Sequence, residues 1–80
     1  MELTYDPRYN VAYIRFRDKE AEVDTVHISD EMNVDMAPDG TIYGIELLNA
    51  NEQLRRGDMG RLLITNVATG DHTEVQFPAA

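Results

Sequence analysis

Hydrophobic residues in this chain recur mostly at every second position. Met32, Val34 and Met36 alternate with Asn33 and Asp35, and Tyr43, Ile45 and Leu47 alternate with Gly44 and Glu46. Val26 and Ile28 flank His27, Val75 and Phe77 flank Gln76, and residues 11–16 are rich in β formers, among them Tyr13, Ile14 and Phe16. A strand points successive side chains to opposite faces, so a period of two predicts short, half-buried strands. Residues 3–6 precede Pro7, which pushes its neighbour out of the helical region, and are expected to be extended. Asn49 or Asn51 can cap a turn through Glu52, Gln53, Leu54 and Arg55, with Gly57 as the stop. That helix has two turns at most, with Met59 and Leu62 expected to pack near it.

Two turns join strands. Thr69-Gly70-Asp71 links residues 62–67 to 73–77. Pro38-Asp39-Gly40 is the stronger hairpin signal and contains a conflict. An even loop pairs Met36 with Tyr43, Val34 with Ile45 and Met32 with Leu47, all on one face. A type I turn with a left-handed Gly40 makes a three-residue loop and slips that pairing by one, which would send an apolar set to the wrong face. The face-matching register is expected, directly or through a bulge near Gly44 that restores it.

The expected fold is mainly β, of the α+β class. It is a small antiparallel β-meander with four strands from the first fifty residues, one short helix and a C-terminal β-hairpin. Residues 1–80 read as a single domain. A sheet of this kind buries one face easily. The other needs cover, from the C-terminal hairpin or from a second copy of the chain.

Composition narrows the function. Eighty residues carry seven Lys+Arg and fifteen Asp+Glu, a formal charge of −8, with no cysteine. That charge argues against nucleic acid, whose phosphates need clustered cations. The missing cysteines exclude a disulfide scaffold, a thiolate metal site and a cysteine nucleophile. No apolar run approaches the ~20 residues of a membrane helix, and no basic-then-apolar leader opens the chain, so a cytoplasmic protein is expected. Eight acids fall between Asp18 and Asp39 (Asp18, Glu20, Glu22, Asp24, Asp30, Glu31, Asp35, Asp39) against the single Lys19. They read as a solvated edge, or as a docking surface for a basic protein.

An ordered set of residues resembles a known family. Tyr5-Asp6-Pro7, then Ala12-Tyr13-Ile14-Arg15, then Val34-Asp35 leading to Asp39-Gly40, then Gly44-Ile45-Glu46, together resemble the bacterial family known as domain of unknown function 2283. The resemblance spans about residues 3–54 and leaves 57–80 as a hairpin extension without a motif. It implies a small β-rich protein with no established activity, some members being candidate antitoxins that partner small toxins. Tyr5, Asp6, Pro7, Tyr13, Ile14, Asp35, Asp39, Gly40, Gly44, Ile45 and Glu46 are the motif positions carried over, none with a catalytic role. The usual acid before the second strand is Asn10 here.

Candidate chemistry is sparse. His27 should point away from the core and His72 sits beside a turn; neither has ligand spacing to a carboxylate. Asp35 and Glu46 are paired acids on neighbouring strands, expected to face solvent, with Asp35 opposite Gly44 and Glu46 reaching Asn33. Gly44 marks a bulge or a cross-strand aromatic above it. No catalytic residue, metal ligand or cofactor is assigned. The expected function is an acidic protein-interaction module, with a basic partner or a second copy of itself. The alternatives are a small-ligand binder or enzyme using Asp35, Glu46, Tyr5 and His27, and a purely structural homodimer.

Overall fold

A computed structural model describes residues 1–18 and 22–77; Lys19 and Glu20 of the acidic stretch lie outside the described residues. The elements are β1 (Glu2–Asp6), β2 (Val11–Arg15), β3 (Asp24–Ser29), β4 (Met32–Met36), β5 (Ile42–Leu48), α1 (Ala50–Arg55), β6 (Arg61–Thr65) and β7 (His72–Gln76). The chain divides into two compact units, Met1–Ala50 and Asn51–Ala80. The protein is mainly β, with antiparallel sheets, one short helix and a C-terminal hairpin, as its hydrophobic pattern predicts.

The first unit is a five-stranded antiparallel sheet in the order β1-β2-β5-β4-β3. It holds five strands rather than the four expected, because the extended stretch before Pro7 pairs with β2 and becomes β1. The order departs from chain order at one place. β2 lies against β5, which makes β5 the central strand.

The β4–β5 hairpin resolves its conflict by using both devices. Gly40 N donates to Ala37 O at 2.9 Å and Ala37 N to Thr41 O at 2.8 Å, closing a three-residue loop with Gly40 at φ 92°. A bulge then follows: Met36 pairs with Ile42 but Asp35 with Gly44, so Tyr43 is the extra residue. The inserted residue cancels the slip. Val34 meets Ile45 and Met32 meets Leu47, and the apolar set stays on one face.

The registers arrange the sheet into cross-strand rows. On one face, Leu3, Ile14, Ile45, Val34 and Val26 form an all-aliphatic row across every strand. Beside it run Tyr5, Ala12, Leu47 and Met32. The opposite face carries Glu2, Arg15, Gly44, Asp35 and Thr25 in one row, and Thr4, Tyr13, Glu46, Asn33 and His27 in the next. Of the expected core residues, Tyr43 and Leu47 are buried, while Met32, Val34, Met36 and Ile45 are only half-buried.

In the second unit α1 ends before Gly57, whose φ is 85°, and the β6–β7 hairpin follows. Asn66 organises the hairpin loop: its Oδ1 accepts from the Ala68 amide at 2.9 Å, and its own amide donates to Asp71 O at 2.8 Å. Phe77 is buried, its amide donating to Gly60 O. Met59 lies near α1 as expected, lining a depression with Asn51, Glu52, Arg55 and Arg56, but neither it nor Leu62 is buried. Met59 has a left-handed φ of 61° and is 76% exposed, and Leu62 is half-exposed.

Gly44 is the position where the sheet tolerates no side chain. A Cβ there would overlap the phenol of Tyr13 at Oη and Cζ. Gly44→Ala is therefore expected to lower stability by about 2–4 kcal/mol through overpacking and a lost hydrogen bond. Urea unfolding followed by circular dichroism measures this, and an unchanged midpoint would contradict it.

Candidate functional site

The polar face is built around one carboxylate. Asp35 points outward from β4, yet only 9% of it is exposed. The reason lies on β5 and β2. Gly44 stands opposite Asp35 and has no side chain, so the ring of Tyr13 leans diagonally over it. Diagonal neighbours on adjacent strands are within reach of an aromatic side chain. Tyr13 Oη donates to Asp35 Oδ2 at 2.8 Å, and from the other side Thr25 Oγ1 donates to Asp35 Oδ1 at 2.7 Å. A carboxylate buried without donors would be costly; here hydroxyl groups from both flanking directions satisfy it.

This corrects the expectation that Asp35 faces open solvent. Its backbone direction is as read, but the phenol roofs it. The aromatic expected above Gly44 is Tyr13. Glu46 reaches Asn33 as expected, Asn33 Nδ2 donating to Glu46 Oε1 at 2.9 Å. His27 Nδ1 lies 3.0 Å from Asn33 Oδ1, which places the imidazole to donate. Asp35, Glu46 and His27 thus share one face, while Tyr5 belongs to the opposite one.

The electrostatics follow from this packing. Burial is the largest influence on the Tyr13 phenol, followed by its hydrogen bond to Asp35 and the charges of Asp35 and Glu46, and together they push its pKa up to about 12. Arg15 works against them. Arg15 itself pairs with Glu2 at 3.1 Å and with Asp18.

The remaining motif residues shape turns. Arg8 grips Asp6 through Nε and Nη2, at 3.1 and 3.0 Å, and this hydrogen bonding holds the Asp6 carboxyl below its ordinary range. Pro7 occupies the β1–β2 turn between them. Asp39 Oδ1 accepts from the Thr41 amide at 2.9 Å, and hydrogen bonds from Thr41 likewise lower its pKa. Tyr5 Oη donates to Asn10 Oδ1 at 3.2 Å. Asn10 adopts a left-handed φ of 55°, its Nδ2 donates to Asn49 Oδ1, and its carbonyl accepts from the Ala50 amide. Asn10 is thus the joint between the first turn and the start of α1. Asparagine tolerates that backbone region, the one signal by which Asn10 could have been picked out. Thr25 was also missed, because its partner is settled by the β3–β4 register.

Surface depressions among the described residues lie elsewhere. One of about 270 Å³ is lined by Asn51, Glu52, Arg55, Arg56 and Met59. Another, of about 210 Å³, is lined by Met1, Arg15, Phe16, Arg17 and Asp18. Asp35, Glu46, Tyr5 and His27 line neither. Among the described residues no three His, Asp or Glu side chains group as metal ligands, and no helix is long and apolar enough to cross a membrane.

Fold and polar face together define a small antiparallel β-sheet protein with a carboxylate locked under a phenol. A family model described as "Protein of unknown function (DUF2283)" matches residues 2–51, which hold all five strands of the first sheet. The chain belongs to that family. Searches of curated proteins and of solved structures found no match.

The raised phenol pKa has a sign that can be tested. An unfolded tyrosine titrates near 10, so the stabilisation from neutral Tyr13 is fully present below pH ~10 and is lost as pH climbs to about 12. Urea midpoints measured across that range should fall for the wild type. In Tyr13→Phe the stability should drop by about 1–3 kcal/mol at neutral pH and the alkaline fall should become shallower. Equal alkaline slopes in the two proteins would contradict the placement of this hydroxyl.

Proposed function

We propose that this chain is a protein-interaction module whose contact surface is the apolar face of the five-stranded sheet. The observation that supports this most is the aliphatic row from Leu3 to Val26. Both of its ends are more than a third exposed, at 42% and 37%, and its three inner members are only half-buried. Contiguous exposed apolar surface on a small protein marks a contact site. Ile28 and Phe16 are exposed as well, at 56% and 43%.

The polar face favours this reading over chemistry. Asp35 is held by Tyr13 and Thr25, and Glu46 by Asn33. A general acid or base needs an open approach to its substrate, and these groups are turned toward one another instead. The acidic turns and the exposed edge strand β3 lie at the margins of the sheet, where they steer approach.

Purification of the tagged chain from its own cells at low salt tests the proposal. The chain is expected to elute within a complex larger than 9.1 kDa, and Val26→Glu is expected to release it, while Glu22→Gln leaves the complex intact. Elution as a single chain at high concentration would overturn the reading.

A further inference from the structure

We propose that β6 is a pairing edge. Its occupant is the β6 strand of a second copy, antiparallel about Leu63, so that two hairpins make one continuous sheet. This surface is separate from the sheet face proposed above, and neither reading depends on the other. Among the described residues four strands have a neighbour on one side only: β1, β3, β6 and β7. An unpaired edge is a template for another chain, and folded proteins ordinarily blunt theirs with charge or a bulge. β1, β3 and β7 are blunted in this way. β1 has Glu2 at one end and Asp6 at the other, so a copy laid antiparallel along its whole length sets acid against acid. β3 begins at Asp24 and is broken by a bulge between His27 and Ser29. β7 has Glu74 at its centre, where a copy would bring a second carboxylate directly opposite.

β6 has neither device. It reads Arg61-Leu62-Leu63-Ile64-Thr65, its pairing with β7 is regular throughout, and its three aliphatic residues are each about half exposed. Its one charge, on Arg61, is met by Glu74 of β7 at 3.1 Å. Backbone parity sets the register. Asn66 N donates to Asp71 O and Phe77 N to Gly60 O, so the alternate residues Leu62 and Ile64 turn their amides toward β7. Arg61, Leu63 and Thr65 therefore turn theirs to the outer edge. An antiparallel copy centred on Leu63 sets Leu63 against Leu63 and Arg61 against Thr65, through roughly six backbone hydrogen bonds. Leu62 then lies beside Ile64 of the other copy, and no like charges are opposed across the two-fold axis. The pairing also answers a need of the hairpin. Two strands alone are marginally stable in water, and three or more are needed for independent stability.

The test uses the purified full-length chain alone. Sedimentation over a concentration series should show a monomer–dimer equilibrium. Leu63→Lys should weaken the dimer at least about ten-fold, because it opposes two ammonium groups at the two-fold axis, while within each hairpin it faces Glu74 and leaves the fold in place. Should that variant not fold, a cysteine decides, since the chain has none of its own. Residues paired in this way have Cα atoms about 5.5 Å apart, within disulfide reach, so Leu63→Cys should yield a covalent dimer on mild oxidation. Glu74→Cys should not, because its copies would lie three strand spacings, about 14 Å, apart. A chain that stays monomeric up to about 1 mM overturns the proposal. So does cross-linking of Glu74→Cys as fast as of Leu63→Cys. A dimer of the pure chain that Val26→Glu breaks and Leu63→Lys does not would put the contact on the sheet face and overturn the edge.

Discussion

One buried carboxylate disciplines this sheet. Asp35 sits on a face that is largely polar, yet it is covered by Tyr13 and held by two hydroxyl groups. The arrangement requires four strands at once: Thr25 on β3, Asp35 on β4, the bare backbone of Gly44 on β5, and Tyr13 on β2. Moving any of these strands by one residue would bring the acid among aliphatic side chains or put a side chain under the phenol. A buried polar group of this kind penalises every alternative register more than it stabilises the native one. The aliphatic row on the reverse face is the passive consequence. With Asp35 and Glu46 pinned outward, Leu3, Ile14, Ile45, Val34 and Val26 fall into line behind them.

The hairpin shows how the chain reconciles local and global preference. Pro38-Asp39-Gly40 favours a three-residue loop on its own terms, which would set the strands out of step. The bulge at Tyr43 absorbs the difference within two residues. Tyr43 is buried, so the extra residue contributes to packing.

Much of this was legible in the residues. Alternation around Met32–Met36 and residues 43–47 located β4 and β5, and Gly44 announced a ring above it. What stayed hidden was nonlocal. That the ring belongs to Tyr13 depends on β2 lying beside β5, a pairing no local pattern encodes. The burial of Asp35 was missed for the same reason, since an acid in an alternating strand looks solvated until its roof is known. Asn10 was visible only through asparagine's tolerance of the left-handed backbone that it adopts at this joint. The family match ends at residue 51, before the β6–β7 hairpin, which forms a sheet of its own.

A double-mutant cycle between Tyr13→Phe and Asp35→Asn reads the central bond most directly. If the hydroxyl and the carboxylate stabilise the sheet through each other, the two losses should be non-additive by about 1–3 kcal/mol, since whichever partner goes first removes the interaction. Losses that add to within about 0.5 kcal/mol would mean that the phenol and the acid act independently, and that the register is held by something else.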